Sequence, residues 1–132
     1  MSLIFEWRGS FENAEVNALH AEAFDHSLRD DDWRDQLVKH SLGWVCARRG
    51  GELIGFVYVA WDGGSHAFIL DPIVATGSRG QGVGTELIAR AVAGARICGC
   101  EWLHVDFDEH LRGFYLEACG FVPTNAGLIS LR

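Results

Sequence analysis

Residues 79 to 85 read RGQGVGT, three glycines at alternate positions behind an arginine. Immediately after them Val83, Leu87, Ile88, Ala91, Val92 and Ala95 recur every three to four residues, one apolar face of a helix from about Gly82 to Arg96. The first N–H groups of such a helix lack partners, and its dipole places partial positive charge there. Glycine at 80, 82 and 84 removes the Cβ atoms that would hold an anion off and permits the positive φ angles that turn successive amides inward. The chemistry this suits is phosphate binding by bare backbone. A triphosphate-hydrolysing loop would need a lysine after its last glycine, and a dinucleotide fingerprint opening at Gly80 would need glycine at 85, where Thr85 stands.

The elements that must hold this loop can be read on both sides of it. Residues 3 to 8 suit a strand, and two helices follow. The first, in ENAEVNALHAEAF, is expected to bury Ala14, Ala18, Ala21 and Phe24. The second, in DDDWRDQLVKH, has Asp30 to Asp32 around its N-terminus. WVCARRGGELIGFVYVAWDGG reads as a hairpin turning on its paired glycines, and HAFILDPIVA extends the meander. Pro72 has no N–H to give a ladder, which predicts a bulge beside Asp71. After the glycine-loop helix, EWLHVDFD alternates as a strand with Leu103, Val105 and Phe107 on one face and His104, Asp106 and Asp108 on the other. HLRGFYLEACGF suits a short helix stopped by Gly120, and the tail has room for one or two short strands.

With 132 residues, 48% of them hydrophobic, the chain is expected to form one domain over residues 1–132. The expected class is α/β: a mixed, mostly antiparallel central sheet flanked by helices. The formal net charge is −7, and Lys39 is the one lysine among eleven basic side chains, which argues against nucleic acid and for a cationic partner. No apolar run is long enough for a membrane span, so a cytoplasmic protein is expected. Cys46, Cys98, Cys100 and Cys119 lie among apolar residues at no metal-site spacing, and are expected as buried free thiols with no metal.

RGQGVG, residues 79 to 84, resembles the acetyl-CoA loop of the GCN5-related N-acetyltransferase (GNAT) family, with Val74 where that family ends its fourth strand. FYLEACGF, residues 114 to 121, is similar to the family's second signature. The element order matches over nearly the whole chain. The resemblance implies an acetyl-CoA co-substrate with its pyrophosphate on the amides of Gly80, Gln81, Gly82, Val83, Gly84 and Thr85 behind Arg79. It also implies a pantetheine arm along Ile73 and Val74, in a gap between the fourth and fifth strands, with Tyr115 at the leaving thiolate. Asp108 stands where the family often has an asparagine touching that arm. The tail is shorter than usual in the family, which makes room for a second subunit to complete the acceptor pocket as a homodimer.

Acetyl transfer to a primary amine needs a base, because an alkyl ammonium of ordinary pKa about 10.4 is protonated at neutral pH. Asp71, His104 and Asp106 are the candidates, and Tyr115 is the candidate acid. The expected acceptor is a small-molecule or protein amine, cationic to suit the acidic clusters. A non-catalytic acyl-CoA-binding or sensing domain is the alternative, and it would have no use for the phenol of Tyr115.

Overall fold

The computed structural model describes residues 2–132. Five strands form one sheet in chain order: β1 (Leu3–Trp7), β2 (Ser41–Arg49), β3 (Glu52–Trp61), β4 (His66–Val74) and β5 (Trp102–His104). The first four are antiparallel and β5 runs parallel to β4, so the mixed, mostly antiparallel sheet expected from the sequence is what the chain adopts. Gly50 and Gly51 turn the β2–β3 hairpin at positive φ, 59° and 85°, as a tight hairpin of matching twist requires.

Helices cover both faces of the sheet. On one face α3 (Val83–Ile97) packs Val83, Leu87, Ile88, Ala91 and Ala95 against Val45, Ala47, Val57 and Val59. On the other, α1 (Asn13–Phe24) and α2 (Trp33–His40) enclose Phe11, Val16, Leu19, Trp33 and Leu37 with Cys46, Phe56 and Ile73. Strand β3 is therefore buried on both sides along most of its length. The indole of Trp7 crosses from β1 onto α3: a Cβ on Gly94 would lie 2.7 Å from it, and one on Gly43 of β2 would also collide with it. Glycine at both places is what lets the helix approach the sheet edge.

Local chemistry sets the helix ends. Asp32 caps α2 by accepting from the Asp35 N–H at 3.1 Å, and the Glu12 N–H donates back to the Glu15 carboxylate at 2.9 Å at the start of α1.

Five expectations need correction. The buried face of α1 is Val16, Asn17 and Leu19, while Ala14, Ala18 and Phe24 point outward. Small alanines satisfy the helical period on either side, and Asn17 is buried because it is fully bonded, to the Asn13 and Asp31 carbonyls and the Trp33 indole. Strand β5 ends at His104 rather than running to Asp108, although the in-and-out alternation of residues 103 to 108 persists. Residues 122 to 132 form no strand and stay exposed. Of the four free cysteines Cys46 is buried, whereas Cys98 is exposed. The helix expected near residue 115 is a 3-10 turn, Glu109–Leu111, followed by a wide π-helical turn, Gly113–Ala118. No helix of the described residues is long and apolar enough to cross a membrane.

Candidate active site

Strands β4 and β5 pair only through His66 to Phe68 and Trp102 to His104. Beyond that point β4 continues to Val74 while the chain after His104 turns away, and the divergence opens a cleft of about 1000 Å³. Its walls are Ile69 to Val74 on one side and Val105 to Asp108 on the other, with Phe114 and Tyr115 at the base. A parallel pair can diverge here because β5 contributes three residues and then leaves the ladder, freeing the far edge of β4.

The glycine loop closes one end. The chain leaves β4 through a 3-10 turn, Thr76–Ser78, and reaches α3 through Gly80 and Gly82 at φ 77° and 79°. A Cβ built on either meets nothing within 4 Å, so the space above both backbones is open. The Glu86 N–H bonds to Gly82, which leaves the amides of Val83, Gly84 and Thr85 as the outward donors of the first turn. Gly84 sits closer in, its Cβ position 3.4 Å from the Phe114 ring. A smaller hollow of about 280 Å³ lies over Arg79, Gly80, Gly82, Val83, Gly84 and Thr85, of a size for phosphates. The Arg79 guanidinium folds back to the Val74 carbonyl at 3.3 Å, and Arg49 holds Gln81 at 2.7 Å, so two arginines brace the loop. Ile73 and Val74 pair with Phe56 and Gly55 on the β3 side only; their other side faces the cleft.

Asp71 sits in the expected bulge. Phe56 opposes Ile73 and Tyr58 opposes Leu70, so Asp71 and Pro72 together face Val57. The bulge holds Asp71 at φ 48°, and its carboxylate lies 3.3 Å from Nε2 of His20 on α1. Asp106 and Asp108 line the opposite wall, and His110 follows them. His104 does not line the cleft. It lies against His66 at 2.7 Å and stacks on Phe68 at 4.5 Å, on the paired part of β4 and β5.

Tyr115 is 3% exposed and belongs to the π-helical turn. Its ring stacks on Phe107 at 4.9 Å and meets Phe114 and Phe121 edge-on. Burial, with smaller contributions from Cys119 and Asp106, pushes its phenol up to about 12. Sequence reasoning did not find His20 and His26, which form a hydrogen-bonded pair behind Asp71. Neither stands in a motif, and only the α1–β4 contact brings them to the site.

A splayed β4–β5 pair with a glycine loop leading into the next helix defines the acyl-CoA N-acyltransferase fold. The model of the acetyltransferase (GNAT) family matches residues 4–121, and the chain belongs to that family. Solved structures agree on the fold. A GNAT-family acetyltransferase from Streptococcus pneumoniae superposes with TM-score 0.77 at 21% identity, covering 99% of this chain and 100% of its own. An acetyltransferase from Trypanosoma brucei gives TM-score 0.82 at 17% identity over 98% and 99% of the two chains. The aminoglycoside acetyltransferase AAC(6')-Iy, in complex with a CoA bisubstrate analogue, gives 0.79 at 17% over 100% and 99%. No curated protein sequence matches the chain.

Proposed function

We propose that this protein is a single-domain N-acetyltransferase that moves the acetyl group of acetyl-CoA to a primary amine of a cationic small molecule or protein. The observation that carries the reading is a cleft and an adjoining hollow that share Val74, Arg79, Gly84 and Phe114 in their walls. The hollow lies over the open backbone of Gly80 to Thr85, and the cleft follows the free edge of Ile73 and Val74, with a bulge-held carboxylate and a buried phenol in its lining. The loop amides would hold the pyrophosphate, with Arg79 beside it adding charge. The unpaired side of β4 would hold the pantetheine arm as an added strand.

Acceptor selection in this reading comes from Asp71, Asp106 and Asp108, three carboxylates that line the cleft, within a protein of net charge −7. The carboxylate of Asp71 removes a proton from the bound ammonium, the amine attacks the thioester carbon, and Tyr115 delivers a proton as the carbon–sulfur bond breaks. Family membership and the CoA analogue bound to AAC(6')-Iy support the donor. A cytoplasmic setting fits the four unpaired cysteines. Self-association through exposed apolar side chains of the tail, Val122, Leu128, Ile129 and Leu131, belongs to the same proposal, and a sedimentation coefficient that rises with concentration would support it. The deciding experiment incubates the protein with acetyl-CoA and a panel of amines while free thiol is monitored. Acetyl-CoA binding without thiol release for any amine would instead support an acyl-CoA-sensing domain.

A further inference from the structure

We propose that His20, oriented by His26, completes the general base, so that Asp71 and His20 Nε2 share the proton that the acceptor ammonium gives up. The inference rests on the acetyl-transfer reading above and adds two residues from outside the cleft's own strands.

Hydrogen-bond polarity carries the argument. The Ser27 carbonyl can only accept, so His26 Nδ1, 2.7 Å away, carries a hydrogen. A neutral His26 then has a bare Nε2, which lies 2.6 Å from His20 Nδ1, and that nitrogen must be the donor. A neutral His20 is left with a bare Nε2, and this is the atom 3.3 Å from Asp71 Oδ2. Three contacts need three N–H protons, and two neutral imidazoles bring two. The vacant proton position lies between Asp71 and His20, at the edge of the cleft that Asp71 lines.

The surroundings hold this arrangement. The His20 side chain is 17% exposed and lies between the rings of Phe24 at 4.6 Å and Trp33 at 5.4 Å, so the ring cannot swing to another partner freely. The bulge holds Asp71 at positive φ, backbone strain of the kind that functional sites often carry. From β3 the group facing Asp71 is Tyr58, whose phenol is pushed up to about 12 by burial and by the Asp71 charge, so it stays neutral over the working range. From α2 it is Trp33, which does not titrate. On α1 itself, Glu22 is turned away to the Thr76 N–H and hydroxyl at 2.7 and 2.6 Å.

The proton balance closes. One N–H bond of the ammonium breaks and its proton enters the Asp71–His20 position, leaving a carboxylate hydrogen-bonded to an imidazolium. The freed lone pair attacks the thioester carbon, Tyr115 protonates the sulfur as the carbon–sulfur bond breaks, and the second proton passes from the nitrogen to restore the Tyr115 phenol. The stored proton returns to water with the product, so ammonium and thioester give amide, thiol and one proton.

The test compares pH profiles of kcat/KM for wild type, His20→Gln and His26→Phe, with the melting shift on acetyl-CoA as the check that each variant folds and binds. Glutamine can still donate to Asp71 but cannot take a proton. Its kcat/KM should fall by about 10² to 10³ at neutral pH, and the deficit should close as pH rises toward about 10.4, where the amine arrives already neutral. His26→Phe keeps a ring but frees the His20 tautomer, and should lose about tenfold with the same closing. Imidazole nitrogen–proton correlation spectra of the wild type should show His20 as the Nδ1–H tautomer. A His20→Gln profile parallel to wild type at every pH, or His20 found as the Nε2–H tautomer, overturns the proposal. Absence of thiol release by wild type with every amine overturns the acetyl-transfer reading and this role with it.

Discussion

Replacing Tyr115 with phenylalanine removes one oxygen and leaves the aromatic packing in place. The ring keeps its stack on Phe107 at 4.9 Å and its edge contacts to Phe114 and Phe121, so stability should change by less than about 1 kcal/mol and the melting temperature by only a few degrees. The chemical step should respond far more. A phenol pushed up to about 12 facing a thiol of ordinary pKa about 8.5 transfers its proton uphill by about 5 kcal/mol. A leaving thiolate in the same dry wall is raised as well, just as burial raises the neighbouring Cys119, which narrows the gap. Donation must therefore accompany carbon–sulfur cleavage instead of preceding it. Loss of a general acid costs about 10² to 10⁴ in rate, equivalent to about 2.7 to 5.5 kcal/mol of transition-state stabilisation. Single-turnover thiol release at saturating acetyl-CoA and amine isolates this step, and the acetyl-CoA melting shift of Tyr115→Phe should match wild type. A variant whose chemical step runs at the wild-type rate would refute the acid assignment and leave Tyr115 as packing.

Three further outcomes follow from the geometry. Gly84→Trp should abolish the stabilisation by acetyl-CoA, about 2.7 kcal/mol at a hundred times the dissociation constant, because the position faces both the loop hollow and the Phe114 ring; a melting shift like that of wild type would remove the loop from the binding site. Gly43→Ala should destabilise the fold by about 1 to 3 kcal/mol by overpacking against the Trp7 indole, and urea unfolding with an unchanged midpoint would show that the indole moves aside. Cys46, Tyr58 and Tyr115 are all pushed up to about 12 by burial, from 9.0 for the thiol and 10.0 for the phenols. Each raised value means that the folded state keeps a proton the unfolded chain releases, so their contribution is complete below about pH 9 and is lost as pH climbs toward 12. Denaturant midpoints measured from pH 8 to pH 11.5 should hold level to about pH 9 and then fall, less steeply in Tyr58→Phe.

The sequence by itself determined the meander, the helix after the glycine loop and the bulge at Asp71, because each depends on neighbours in the chain. Paired glycines turn a hairpin, a 3.6-residue period makes one face of α3 apolar, and a proline cannot donate to a ladder. The loop glycines were legible for the same reason, since positive φ at Gly80 and Gly82 is a property of the residue type. Tertiary structure decided what adjacency cannot encode. Which side of α1 is buried depended on Asn17 finding bonds to the chain around Asp31 and to Trp33, whereas the alanines matched the helical period without burying much area. The early end of β5 depended on the divergence from β4, although its residues alternate well to Asp108. His104 and Asp106, two residues apart, were separated into a surface histidine pair and a cleft wall. His20 and Asp71, fifty-one residues apart, meet at 3.3 Å, because α1 packs across the sheet face where the bulge turns the carboxylate toward it.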